Sequence, residues 1–218
     1  MAEIIVIAGP PGIGKTSASE SILVNGELYL NQDYFYLKYR EQNNSDPDKA
    51  GSDKFKKEIF EVLDTNKNFG YETNLGFNWQ YEDLKQVITY KPNNSIQLHL
   101  FFTEDVNLCW SRADQRFNAG GHFVSDKTIF QMYHNTFTLL KSNLELFDRI
   151  YLYDVKPIGS PDLILSVEHT GRFLFREKQM PNWAIKNILP FLEGRLSKLQ
   201  EDIISELNQE PSAKRRRR

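Results

Sequence analysis

Residues 9 to 16 read Gly9-Pro10-Pro11-Gly12-Ile13-Gly14-Lys15-Thr16, a complete Walker A pattern, directly after the apolar run Glu3-Ile4-Ile5-Val6-Ile7-Ala8. Glycines at these positions let successive backbone N–H groups turn inward around phosphate oxygens. Lys15 can reach the β/γ-phosphates, and the Thr16 hydroxyl can serve as a Mg²⁺ ligand. Small residues and helix formers follow from Thr16 and Ser17 to Leu23, so bound phosphates would also face a helix N-terminus. The loop predicts a site for a nucleoside triphosphate, ATP with Mg²⁺, and is silent on what receives the phosphate.

Other side chains could complete a reaction. Asp33 follows the short strand-like run Glu27-Leu28-Tyr29-Leu30. It reads either as a helix N-cap or as the carboxylate that accepts a hydroxyl proton during phosphoryl transfer. Glu72 and Thr73 end the next strand-like run, where they would grip an acceptor or simply meet solvent. Arg112 and Arg116 lie four apart on one helix face, either gripping an anion in bidentate fashion or pairing with Glu104 and Asp105. Gly120-Gly121 could hinge a lid. His122 beside them reads as a turn or structural histidine, since phosphoryl transfer gives it no evident task.

Positioning these groups requires alternating strands and helices. The strands are expected at 3–8, 27–30, 69–74, 96–102 and 149–153. Phe55, Ile59, Val62 and Leu63, and then Tyr81, Leu84, Val87 and Ile88, recur at helical spacing. Thr103 is the expected cap of a helix carrying Val106, Cys109 and Ala113, and a long helix is expected from about 125 to 147. The polar stretch 42–53 reads as a mobile excursion. Residues 163–169 and 172–176 read as an antiparallel hairpin turning at Thr170-Gly171, followed by a last helix over about 190–207. The fold class is α/β: a mostly parallel sheet with helices on both faces, plus a C-terminal hairpin and helix. One domain is expected over 1–210, its lid at about 112–124.

Composition narrows the classes further. Cys109 is the single cysteine of 218 residues, which excludes an intramolecular disulfide framework and points to a reducing, cytoplasmic setting. No segment approaches the roughly 18 apolar residues needed to span a bilayer, so neither secretion nor a membrane role is expected. The net charge of −2 conceals five basic residues at 214–218; without them 22 basic residues face 29 acidic ones. An acidic body argues against broad nucleic-acid binding. The stretch 211–218 is expected to be a disordered basic tail, either solvated or an arm for a partner.

Several of these segments together resemble the zeta toxin family of P-loop kinases. The resemblance rests on Ile7 to Thr16, Leu30-Asn31-Gln32-Asp33, Tyr71-Glu72-Thr73-Asn74 and the stretch from Arg112 to Val124, with Gly120-Gly121-His122 its most specific part after the Walker loop. It implies an ATP- and Mg²⁺-dependent kinase of P-loop fold that phosphorylates a sugar hydroxyl, as family toxins do on UDP-N-acetylglucosamine, with Asp33 as base and Arg112 and Arg116 stabilising the transferred group. The chain departs from the family at Met132-Tyr133-His134-Asn135-Thr136, where Met132 and Asn135 replace two arginines, and at Asp154-Val155. Two other readings stand beside it: a slow nucleotide hydrolase controlled by an antitoxin-like protein partner, and a nucleic-acid-end kinase recruited by the tail.

Overall fold

A computed structural model describes residues 2–23, 27–168, 173–175, 180–188 and 190. Its centre is β1 (Glu3–Ala8), in which Ile4 to Ala8 are all buried. Successive side chains of a strand point to opposite faces. Ile4, Val6 and Ala8 therefore enter one core, and Ile5 and Ile7 enter another. A strand buried on both faces belongs in the middle of a parallel sheet, and β1 pairs in parallel with β3 (Phe69–Thr73) on one side and β4 (Ser95–Phe102) on the other.

The sheet runs β2-β3-β1-β4-β5-β6-β7. β2 (Leu28–Leu30) and β5 (Arg149–Asp154) continue the parallel pairing, while β6 (Asp162–Glu168) and β7 (Phe173–Phe175) add the antiparallel hairpin. Helices lie on both faces. α1 (Lys15–Ile22) and α5 (Val106–Asn118) pack Ala18, Cys109 and Ala113 against Ile5 and Ile7. α3 (Pro47–Asp64), α4 (Asn78–Tyr90) and α6 (Asp126–Lys141) bury Phe55, Ile59, Leu84, Val87, Phe137 and Leu140 against the other face. The chain departs from β1 to neighbours on either side, and such a switch point opens a crevice at the strand ends.

The structure corrects four local expectations. The polar stretch 42–53 is mostly helix: the Asp46 side chain accepts the Lys49 N–H at 3.0 Å and Pro47 opens α3, a cap-and-proline start that needs no apolar residue. The cap of α5 is Asp105, which accepts the Asn107 N–H at 2.9 Å. Thr103 instead accepts the N–H of Asp105. The helix expected to reach 147 stops at Lys141 and gives way to a 3₁₀ turn at Leu144–Leu146. A short helix, α7 (Asn182–Asn187), has no counterpart among the sequence expectations; its Trp183 stacks on Phe137 and packs at a tilt against Phe102 within the core. The Thr170-Gly171 turn, most of the helix expected at 190–207 and the tail at 211–218 lie outside the described residues.

Candidate functional site

The phosphate loop owes its shape to contacts that only glycine permits. Gly12 has φ +78°, and a Cβ there would stand 2.1 Å from the Cys109 carbonyl oxygen on α5. Gly9 lies so close to the end of β4 that a Cβ would meet the Phe101 carbonyl oxygen at 2.4 Å. The loop is thus clamped between β4 and α5, the helix that carries Arg112 and Arg116. α1 begins at Lys15 with no acidic residue of its own in its first turn, and the positive end of its dipole faces the loop.

Lys15 is buried, and its Nζ donates to the carbonyls of Gly9 (2.9 Å) and Pro10 (3.1 Å) and to Asn74 Oδ1 (2.8 Å). Burial lowers its pKa, opposed by the charges of Glu72 and Asp33. Glu72 Oε1 lies 3.7 Å from Lys15 Nζ. Its other oxygen accepts from Thr16 Oγ1 (2.8 Å), Tyr29 OH (2.5 Å) and Asn31 Nδ2 (3.3 Å). Glu72 is therefore tied to the phosphate loop, and with Thr73, one residue on, it lines the adjoining cavity. Burial, reinforced by the Glu72 charge, raises the pKa of Tyr29 and keeps its hydroxyl a donor.

Asp33 is not a cap. α2 (Gln32–Glu41) is capped by Asn31, whose Oδ1 accepts the Asp33 N–H at 2.9 Å. The Asp33 carboxylate faces across to α5 and the segment after it: Oδ2 accepts from Arg116 Nη1 at 2.9 Å, and Oδ1 lies 3.4 Å from His122 Nδ1. Burial alone would raise its pKa. A hydrogen bond from His122 and the charges of Arg116, His122 and Lys15 outweigh that and hold it below the ordinary aspartate value. The Arg116 Nε is buried without a hydrogen-bond partner, an uncommon condition for so strong a donor and one that an entering phosphate oxygen would relieve.

The two arginines diverge. Arg112 shares the helix face of Arg116 but donates to the carbonyls of Ile13 (3.4 Å), Lys156 (3.3 Å) and Pro157 (3.2 Å). Neither arginine is paired with Glu104 or Asp105. Arg116 lines a cavity of 460 Å³ together with Lys15, Asp33, Glu72 and Thr73. Arg112 lines a second cavity of 850 Å³, with Gly14 and Ser17 at its edge.

His122 has more contacts than a turn residue needs. Its Nε2 is 3.2 Å from Asp48 Oδ1, and Tyr36 of α2 packs on its ring at 4.4 Å. Arg40 Nη2 donates to the Gly120 carbonyl at 2.8 Å, so the 116–122 segment is held against α2 by four separate contacts. Tyr29, Asn74 and His122 join the site without having been assigned to it from sequence. The alternation of β2, which puts Tyr29 and Asn31 on one side, carries the signal for Tyr29. Met132 and Asn135 stand where the resemblance would put arginines. Met132 lines the first cavity and crowds Gly76, and Asn135 Nδ2 donates to the Gly76 carbonyl at 3.2 Å, so both lock the turn between β3 and α4.

No protein-family model matches the chain. A curated cytidylate kinase of Sulfurisphaera tokodaii is 27% identical over 176 residues, covering 68% of this chain and 94% of the relative. Among solved structures, the PezAT chromosomal toxin-antitoxin system of Streptococcus pneumoniae contains a chain that matches with TM-score 0.57 at 15% identity, over 92% of this chain and 87% of that one. A chain of the AvrRxo1-ORF1:AvrRxo1-ORF2 complex with sulphate ions matches with TM-score 0.61 at 13% identity, over 86% of this chain; this chain spans 63% of that neighbour. These likenesses establish the fold as that of the P-loop kinases.

Proposed function

We propose that this protein is an ATP-dependent kinase that transfers the γ-phosphate to an alcohol hydroxyl of a small molecule. The observation that carries the reading is that Lys15, Asp33, Glu72 and Arg116, contributed by four different elements, line one cavity. Phosphoryl transfer needs little covalent help from a protein and depends on positioning and charge stabilisation. Lys15 would exchange its carbonyl partners for β- and γ-phosphate oxygens. Arg116, with its spare Nε, would hold the transferring group. Asp33, kept ionised by Arg116 and His122, would orient the acceptor hydroxyl and take its proton.

The donor site fits a nucleotide with a divalent cation. Thr16 Oγ1, 2.8 Å from Glu72 Oε2, would hold Mg²⁺ with Glu72 and the phosphates, consistent with the ion's usual reliance on few carboxylates; the ion would neutralise charge developing on the phosphoryl oxygens. Gly9, Pro10, Pro11, Gly12, Ile13 and Gly14 would wrap the phosphates. Arg112 and Ser17, on the second cavity, would contact the nucleoside end rather than the transferring group.

The sequence resemblance points to a zeta toxin-like acceptor, the nucleotide sugar UDP-N-acetylglucosamine, which is one of two acceptor classes to be tested. The PezAT and AvrRxo1 neighbours come from two-component assemblies, which supports an antitoxin-like protein partner for this chain as well. Cys109 is free and buried, in keeping with a cytoplasmic setting. Among the described residues no helix is long and apolar enough to cross a membrane. The reading is tested by incubating purified protein with ATP, Mg²⁺ and a panel of hydroxyl compounds and nucleotide sugars. Acceptor-dependent ADP release is expected; release that no acceptor stimulates would contradict it.

A further inference from the structure

The cavity that holds Lys15, Asp33 and Arg116 does not end there. It continues between α3 and α4, where Phe55, Ile59, Phe60, Trp79, Leu84 and Val87 form its walls. Four of these are buried core residues, while Trp79 is 50% exposed at the rim. An apolar compartment therefore adjoins the reacting centre, and the cavity as a whole, 460 Å³, lies within the usual size range for small-molecule pockets.

Charge sharpens the class of ligand. Among the described residues lining this cavity, the lysines and arginines are Lys15, Lys56 and Arg116. Lys15 belongs to the phosphate loop and Arg116 is paired with Asp33. Lys56 is the one on the α3–α4 side, and its Nζ lies 2.9 Å from Asp83 Oδ1, which lines the same cavity. The Lys56–Asp83 pair leaves this end of the cavity without net charge, and so without a free cation to attract a phosphate or diphosphate. A neutral apolar group needs no counter-charge and gains from contact with the apolar walls and with Trp79.

We propose that the acceptor is a neutral alcohol bearing an aromatic or similarly planar apolar group, which lodges between α3 and α4 against Trp79 while its hydroxyl faces Asp33. The proposal rests on the kinase reading for its chemistry. The acceptor O–H proton passes to the Asp33 carboxylate, and its oxygen forms a bond to the γ-phosphorus. The bond from that phosphorus to the β,γ-bridging oxygen breaks, and its electron pair leaves with ADP.

Isothermal titration calorimetry tests it, with the phosphate loop filled by Mg²⁺ and a saturating non-hydrolysable ATP analogue. The probes are 4-nitrophenyl β-D-glucopyranoside, glucose and UDP-N-acetylglucosamine. The aryl glucoside is expected to bind at least roughly tenfold more tightly than either other probe, and Trp79→Ala to weaken it by roughly fivefold, as loss of an aromatic stacking partner does, with Trp79→Phe restoring most of the affinity. Absence of aryl glucoside binding, equal or tighter binding of the nucleotide sugar, or an aryl affinity that Trp79→Ala leaves unchanged would overturn the proposal. Because calorimetry needs no turnover, aryl binding without any phosphorylated product would count against the kinase reading alone. Phosphorylation of UDP-N-acetylglucosamine without aryl binding would count against this proposal alone.

Discussion

Asn31 Oδ1 accepts the backbone N–H of Asp33 at 2.9 Å, and this contact divides two roles that neighbouring residues could have shared. Asn31 satisfies the start of α2, and the Asp33 carboxylate is released to meet Arg116 and His122 across the crevice. Asn31→Ala should therefore lower stability by about 1 kcal/mol, about 2–4 °C in Tm for a chain of this size, and should reduce turnover further because the Asp33 backbone loses its anchor. Asn31→Asp should retain the cap. Thermal melts and steady-state rates of the two variants check this.

The Asp33 carboxyl lies below its ordinary pKa because His122 and Arg116 stabilise the ionised form. A group with a depressed folded-state pKa contributes stability that is present above its unfolded pKa and lost as pH falls through the folded value. The acid limb of the kcat/KM profile should accordingly lie below the usual aspartate range. Arg116→Ala should shift that limb upward, besides lowering the rate. A limb unmoved by Arg116→Ala would mean that the pair does not tune Asp33.

His99 is buried on β4 with Nδ1 3.0 Å from Tyr153 OH, and burial lowers its pKa to about 4. Between that value and its unfolded pKa the unfolded chain binds more protons, so stability should rise with pH across the window and fall on acidification. Complete passage through the window is worth on the order of 3 kcal/mol. Denaturant melts at a series of pH values should show this slope, and His99→Gln should flatten it.

Gly12→Ala places a methyl group 2.1 Å from the Cys109 carbonyl oxygen and an L-residue at φ +78°. The cost should be about 2 kcal/mol or more, and ATP affinity should fall with it because the loop must leave α5. Ala substitution at Gly120, where a Cβ would meet nothing within 4 Å although φ is +92°, should cost only the backbone strain, about 1–2 kcal/mol. Chemical denaturation of both variants, with ATP titrations, separates the two effects.

The parts of this molecule legible in sequence are those set by local pattern. The phosphate loop is a contiguous motif, and the unbroken apolar run of β1 announces a strand covered on both faces. Asn31 and Asp33 are both able to cap a helix, so spacing alone leaves open which carboxyl or amide is spent on the backbone. The i, i+4 spacing of Arg112 and Arg116 predicts a common helix face. It says nothing about long side chains reaching opposite sides of the phosphate loop, which depends on how closely Gly12 lets α5 approach. The polarity of 42–53 masks the Asp46-Pro47 start of α3. Phe55, Ile59, Leu84 and Val87 read as ordinary helix core stripes, and only the tertiary spacing of α3 and α4 turns part of that core into a cavity wall.

The central claim, that Lys15 and Asp33 belong to one phosphoryl-transfer site, is tested most directly by following γ-phosphate label from ATP into acceptors, using the intact protein, Lys15→Ala and Asp33→Asn. Labelled organic phosphate should form with the intact protein and be lost with Lys15→Ala. With Asp33→Asn it should fall by roughly 10²-fold or more, as expected for loss of a proton acceptor, while ATP binding persists. Label appearing only as inorganic phosphate, at a rate that Asp33→Asn leaves unchanged, would contradict the account.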